Sequence, residues 1–507
     1  MNIKAPSGIK MVLVITLSII LSASCEKTAK TDNNTTDTTA DLTIKSNVIT
    51  QSFTGNGFQW GGYDMLNAWT GSPTLSDADW NVLYQRIRFM RPPVVRIMVT
   101  DGWNYMSNGV FDPIKSAPVL LKILDFCQAE GITVIFGEWG HQGGTTIDQV
   151  WLENASKFLE WLLNTKQYTC IKYFNMVNEP NGDWSSMNGN YPLWKTLIEQ
   201  FQAKLIEKGI ASKIKIIGPD IAIWDANQTS WVSNTNYDLG TAIGAFDIHT
   251  YPTETEVRNG TYQGIIKAYR NAAPPAKEML MAELGFKYAA TSALGVQNKQ
   301  RIANDPYASD DSNMEVYDAF YGVDMADALM QIMGSGYSGS ILWDLDDAMY
   351  NVGGSGSVKL KRWGFWNILG AEKFGSAADE KIRPWFYTMS LMSRYFPRGT
   401  KIFAVTLPDK KGLRAIAGEK DGKYTIAIVN SNFVSYDINL RMENGGSLSS
   451  LNVYKYISGE GASFTGKTDV NGFASPEEKG ITIDFTSNNA RKITMQGQSF
   501  MLFTNMN

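Results

Sequence analysis

Two glutamates, Glu179 and Glu283, each stand where an apolar run ends. The first run, Ile171-Lys172-Tyr173-Phe174-Asn175-Met176-Val177, closes on Asn178-Glu179-Pro180. Its β-branched and aromatic content suits a buried strand, and a proline cannot continue the ladder. The second, Glu278-Met279-Leu280-Met281-Ala282, leads into Glu283 and then Leu284-Gly285-Phe286. Two strand-end carboxyl groups suit a hydrolysis in which one protonates a leaving oxygen and the other, ionised, attacks the opposite face of the same carbon. A lone Asn-Glu-Pro is an ordinary turn. The second glutamate, in the same relation to its strand, favours chemistry.

Other reactive side chains fall at similar places. The chain has two histidines, His141 and His249, each at or just past the end of an apolar run. Tyr251 follows His249, Trp343 ends another run, and Arg96 lies inside Pro93–Val99, where a guanidinium could hold a carboxylate ionised. Glu138, in Phe136-Gly137-Glu138-Trp139-Gly140-His141, is a third strand-end carboxylate. It is expected to meet a substrate hydroxyl or a cation, and it is the alternative partner if the chemistry is inverting. Asp344, Asp346 and Asp347 could hold calcium, but three acids on one loop more often are solvated or cap a helix. Gly461–Thr468 matches the P-loop pattern letter for letter, yet Asn471-Gly472 and Pro476 follow and no helix can begin there. No Gly-x-Ser-x-Gly elbow and no Cys/His zinc spacing occurs. Neither cofactor nor metal is expected.

The elements that must position these residues alternate strand and helix from Phe53 to about Phe396. Expected strands are Gly57–Trp60, Pro93–Val99, Ile132–Gly137, the Asn178 strand, Ile214–Gly218, Ala245–His249, the Glu283 strand and Gly339–Trp343. Helices between them repeat apolar residues at three and four, as in Leu193-Leu197-Phe201-Leu205. Eight such units over roughly 340 residues predict an α/β (β/α)8 TIM barrel whose strand ends carry the site. Residues 288–313 form a polar insertion. Beyond Pro397, short alternating strands such as Leu413–Ala417, Tyr424–Val429 and Ile481–Phe485 with Gly/Asn/Asp turns predict a C-terminal β-sandwich domain. The expected domains are a barrel over 42–399 and a sandwich over 400–507, with residues 42–53 available as one further sandwich strand.

The N-terminus reads as a targeting segment. Two lysines precede the apolar run Met11–Leu21, which is too short to span a bilayer comfortably. Ser22-Ala23-Ser24-Cys25 then resembles a bacterial lipobox, which implies lipidation at Cys25 after removal of 1–24. Residues 25–41, rich in Thr, Asp and Asn, should form a flexible linker. The expected location is therefore exported and lipid-anchored to a bacterial outer membrane, on its periplasmic face or at the cell surface. With Cys25 lipidated, Cys127 and Cys170 remain, expected as buried thiols. A net charge of −4 and 19% charged residues provide no basic stripe for nucleic acid. The chain is expected to be monomeric. Its 15 Trp and 22 Tyr offer flat faces for sugar rings as well as core.

Taken together, these positions resemble clan A of the retaining glycoside hydrolases. That clan ends its fourth strand in Asn-Glu and its seventh in Glu. Gln51–Gly57 and the passage Trp385–Gly399 look family 30-like, whereas the second, third and eighth strands look family 5-like. The resemblance implies Glu179 as acid/base and Glu283 as nucleophile. It implies Asn178 at the sugar 2-hydroxyl, and His249, Tyr251 and Trp343 around the −1 sugar. Arg96, His141, Glu138, Trp139 and Trp103 complete the expected binding set. The implied activity is retaining hydrolysis of a β-linked polysaccharide or oligosaccharide, a β-glucan first. The alternative is a glycan-binding lipoprotein on the same barrel without activity. Proximity of two carboxylates further predicts a raised pKa for Glu179.

Overall fold

The computed structural model describes residues 40–63, 75–141, 145–352, 359–486 and 490–507. Cys25, the signal segment and most of the linker lie outside the described residues. Eight parallel strands close a barrel: β1 (Gly55–Gln59), β2 (Val94–Val99), β3 (Thr133–Glu138), β4 (Ile171–Asn175), β5 (Lys215–Ile223), β6 (Ile243–Thr250), β7 (Met279–Leu284) and β8 (Gly339–Leu342). Each pairs with the next in sequence, and β8 pairs with β1. Helices cover the outer face, so β2, β3 and β7 are buried at every residue, which explains their near-continuous apolar runs. Val94, Ile135, Tyr173, Ile217, Ala245, Leu280 and Ile341, one from each of β2 to β8, fill the interior as a packed cluster. β1 contributes none of these; a Cβ at its Gly57 would stand 1.6 Å from the Val94 carbonyl oxygen.

Helix ends follow local chemistry. Ser76 caps the helix Asp77–Met90 through a reciprocal pair with Asp79. Ala117–Glu130 ends at Gly131 in the left-handed conformation. The insertion 288–313, read from the sequence as polar loop, contains a helix, Ala293–Asn304, capped by Ser292. Among the described residues no helix is long and apolar enough to cross a membrane. Cys127 and Cys170 are buried free thiols.

The C-terminal part is a curled ten-stranded sheet, the β-sandwich, whose inner face packs Leu42, Ile44, Ile426, Ile428, Ile438, Leu440 and Phe503. Its strand Ala40–Phe53 lies antiparallel to Thr400–Thr406 and parallel to Tyr436–Met442. Ala40 and Asp41, assigned from sequence to the linker, are already paired there, with Ile438 and Asn439. The P-loop-like stretch holds only the short strand Phe464–Thr465, followed by a turn at Asp469–Gly472. It offers no helix N-terminus to a phosphate.

Candidate active site

The strand ends of β2 and β4 to β7 converge on one buried network. Arg96, fully buried in β2, donates from Nη1 to Glu283 Oε1 at 2.5 Å. Its Nη2 donates to Asn178 Oδ1 at 2.8 Å and to Asp220 Oδ2 at 3.1 Å. The Tyr251 hydroxyl donates to Glu283 Oε2 at 2.6 Å, so both oxygens of Glu283 accept. Glu179 lies across from it, with Oε1 3.1 Å from His249 Nδ1 and Oε2 accepting from Trp184 Nε1 at 2.7 Å. His249 Nδ1 is also 3.6 Å from Glu283 Oε2. One oxygen from each glutamate and this nitrogen all lie within 4.8 Å of one another.

Glu179 does not directly follow a strand residue. β4 ends at Asn175, whose Oδ1 accepts from Val177 N at 3.3 Å and turns the chain out of the ladder. Glu179 then sits at φ +49°, a left-handed conformation uncommon for a side-chain-bearing residue. Its N–H donates to the carbonyl of Asp220, itself left-handed at φ +56°. Two such residues facing each other at a strand-end site store local strain that the surrounding barrel must hold.

The electrostatics differ from the sequence expectation. Burial pushes the Glu179 carboxyl upward, but the hydrogen bond and charge of His249, with the Trp184 N–H, outweigh it. The net pKa is lowered, not raised as proximity to Glu283 alone predicts, because a cation stands beside the glutamate. Burial likewise disfavours charge on His249, yet Asp220, Glu283 and Glu179 raise its pKa well above the ordinary histidine range. Asp220 is lowered despite complete burial by His249 and Arg96, while Asp247 is pushed well up by burial and by Asp220. Tyr251 is held protonated by burial and by Glu283 and Glu179, as a hydrogen-bond donor must be.

Above this network opens a cleft of about 700 Å³. Asn178, Glu179, Tyr251, Trp103, Trp139 and His141 line it. His141 sits between Asp101 and Asp148, at 3.3 and 3.2 Å, and stacks on Trp151. Trp343, 5% exposed, stacks on Tyr350 and meets Trp139 edge-on, and the Arg96 guanidinium lies 5.9 Å from the Trp139 ring centroid. Glu138 is not among the lining residues. It is 1% exposed, accepts from the Tyr105 hydroxyl at 2.7 Å and forms no ion pair among the described residues, and burial pushes its carboxyl well up. Asp344, Asp346 and Asp347 are fully buried, not solvated. Asp347 is bound by Arg383, and Asp346 accepts from Tyr63 and Trp366.

Among the described residues, the group with metal-ligand geometry is Glu179, His249 and Glu283. The buried Arg96 guanidinium at Glu283 already supplies the positive charge there, and no metal is assigned. Sequence reasoning missed Asp220, because Gly218-Pro219 reads as the end of its strand. It also missed Trp224 and the Lys287–Asp311–Lys361 ion group at the cleft wall. A polar residue just after the apolar run Ile214–Gly218 was the available signal for Asp220.

No protein-family model matches the chain, and no curated protein matches it. Solved structures do. A glycoside hydrolase family 30 subfamily 8 xylanase from Clostridium acetobutylicum is 15% identical over 92% of this chain and 99% of its own, with a TM-score of 0.58. An α-L-arabinofuranosidase from Thermotoga maritima gives the same identity, coverage and score. An endo-β1,6-glucanase is 15% identical over 92% of this chain and 93% of its own, with a TM-score of 0.55. These likenesses establish a shared fold, a (β/α)8 barrel with a β-sandwich.

Proposed function

We propose that this chain is a glycoside hydrolase that cleaves a β-linked glycan with retention of configuration. The observation that carries this reading is the spacing of Glu179 and Glu283, with one oxygen of each within 4.8 Å of the other. Retaining enzymes hold their carboxyl groups about 5–5.5 Å apart, whereas inverting ones need about 6.5–9.5 Å to admit water. Glu283, fixed at both oxygens by Arg96 and Tyr251, attacks the anomeric carbon. Glu179 protonates the departing oxygen, then takes a proton from the water that frees the sugar. Trp139 offers an aromatic face to the cleft and is held edge-on by Trp343 and Tyr350, which stack on each other behind it. The substrate class is proposed as a β-glucan. The fold neighbours, a xylanase, an arabinofuranosidase and a β1,6-glucanase, support glycan hydrolysis in general.

The test is release of reducing sugar from a panel of β-glucans, xylans and mannans, with proton NMR of the first-formed product. The β anomer is expected before mutarotation. An initial α anomer would require a wider carboxylate gap and a different pair.

The protein is further proposed to be exported and lipid-anchored through Cys25, on the strength of its lipobox-like segment. Expressed with its own leader in a Gram-negative host, it should partition with membranes, and Cys25→Ser should not. Fully soluble wild-type protein in the periplasm would reject the anchor.

A further inference from the structure

The proposed reaction needs a proton on Glu179 when the glycosidic oxygen arrives, yet the site is wired to keep that carboxyl ionised. The proton therefore has to rest nearby. His249 is fully buried, with Nε2 2.8 Å from Asp220 Oδ1 and Nδ1 3.1 Å from Glu179 Oε1. Asp220 is also fully buried, and it is tied into the site through its side chain and its backbone alike. Its Oδ2 accepts from Arg96 Nη2 and from Asn175 Nδ2 at 2.6 Å, its carbonyl accepts from Glu179 N, and its N–H donates to Asp247 Oδ1 at 2.8 Å. A carboxylate on one imidazole nitrogen fixes the ring and stabilises its cation, leaving the other N–H aimed at its acceptor.

We propose that Asp220 is a positioning residue that holds His249 as the proton store for Glu179. The inference rests on the hydrolase reading above, and deepens it. As the leaving oxygen approaches, the Nδ1 proton of His249 moves to Glu179 Oε1. The imidazolium becomes neutral, keeping Nε2–H toward Asp220, and the carboxylate becomes an acid. Glu179 then gives that proton to the glycosidic oxygen as the bond to carbon breaks. In the second half, the proton taken from water by Glu179 returns to Nδ1, and the site is restored. The groups facing His249 are Asp220 from β5, Glu179 after β4 and Glu283 from β7, with Arg96 of β2 bound to both Asp220 and Glu283. Asp247 lies two residues before it in β6. Removing the Asp220 charge lowers the affinity of the whole His249–Glu179 pair for its proton.

Histidine labelling tests this directly, because the chain has only His141 and His249. In nitrogen-15 NMR of the intact protein, His249 is expected to show both ring nitrogens protonated at pH 8, with His141→Gln used to assign the signals. Asp220→Asn should leave one ring nitrogen protonated at that pH. Turnover of an unactivated β-glycan by Asp220→Asn should fall roughly a hundredfold, that of a dinitrophenyl glycoside by less than about tenfold, since the latter needs little protonation. The alkaline limb of kcat/KM should move about one unit or more to lower pH. A double variant with His249→Asn should be no slower than the slower single by more than about threefold, as expected of residues acting in one chain. A neutral His249 in the wild-type protein overturns the proposal, as does an unchanged His249 charge in Asp220→Asn. Equal loss on both substrates with an unmoved pH limb overturns it too, leaving Asp220 a structural brace. A wild-type protein inert toward every glycan would instead reject the hydrolase reading, while the NMR result still decides the Asp220–His249 pairing.

Discussion

Glu179 and Glu283 are the same side chain in two electrical settings, and substitutions should separate them. Glu283 accepts from a guanidinium and a phenol, one at each oxygen. Glu283→Ala should abolish turnover, and azide should partly restore it while giving the α-glycosyl product, because a small anion can fill the vacated face. Glu179→Ala should spare activated aryl glycosides by orders of magnitude relative to natural glycans. Equal losses on both substrates would remove Glu179 from the acid role. Glu138 supplies the control. Burial pushes its carboxyl well up, and its partner is the Tyr105 hydroxyl rather than a charge, so Gln imitates it closely. Glu138→Gln should cost about 1 kcal/mol or less in urea unfolding and change turnover only a few-fold. A thousandfold loss of activity would instead bring Glu138 back as a catalytic partner.

At the scale of elements, the closing seam of the barrel is β1 against β2 and β8. Gly339 and Gly57 let those backbones approach: a Cβ at Gly339 would meet the Gly55 carbonyl oxygen at 2.5 Å, and one at Gly57 the Val94 oxygen at 1.6 Å. A backbone atom cannot swing aside as a side-chain tip can. Gly57→Ala should therefore destabilise the fold by about 3 kcal/mol, measured by urea unfolding, through overpacking. A loss within experimental error would mean that β1 sits further from β2 than the structure places it. The barrel itself was legible from sequence because strands buried on both faces must be apolar throughout and helices must repeat at three and four. Strand ends were not. β4 stops early because Asn175 spends its side chain on Val177 N and Asp220, a choice that no local pattern displays. β5 runs on past Pro219 to Ile223 because a register shift between Pro219 and Ile221 absorbs the missing N–H. The same shift carries Asp220 into the site, which is why the residue braced against both Arg96 and His249 escaped notice. The strand-end glutamates, His249 and Arg96 were visible because they interrupt apolar runs. The raised pKa of His249, and with it the lowered one of Glu179, depends on partners that the fold brings in from β5, β7 and the loop after β4.

For the molecule as a whole, one face of the sandwich packs into the apolar cluster of the barrel, while the other keeps a core of its own. The helix Ala319–Gly334 is buried along almost its full length. Tyr456 of the sandwich donates to the Ala319 carbonyl at 2.8 Å, Ser431 donates to Asp327, and Tyr395 meets Tyr454 hydroxyl to hydroxyl at 2.7 Å. The strand Ala40–Phe53 stitches the sandwich from the other end, since it leads directly into β1. Units joined by a chain crossing, buried polar contacts and a shared apolar interface should unfold together. The distribution of tryptophan makes this measurable: all 15 precede Pro397, so tryptophan fluorescence reports the barrel side alone. Ile428 lies wholly within the sandwich core, at 0% exposure. Ile428→Ala should cost about 2–5 kcal/mol from lost transfer energy and the cavity left behind. In a cooperative molecule, the tryptophan-detected urea midpoint should fall by the full amount and coincide with the far-ultraviolet circular dichroism transition. If the sandwich unfolds on its own, the fluorescence midpoint will stay at its wild-type value while an earlier transition appears in circular dichroism. That outcome would make the sandwich an appended domain, and the strain held at Glu179 and Asp220 would then be borne by the barrel unaided.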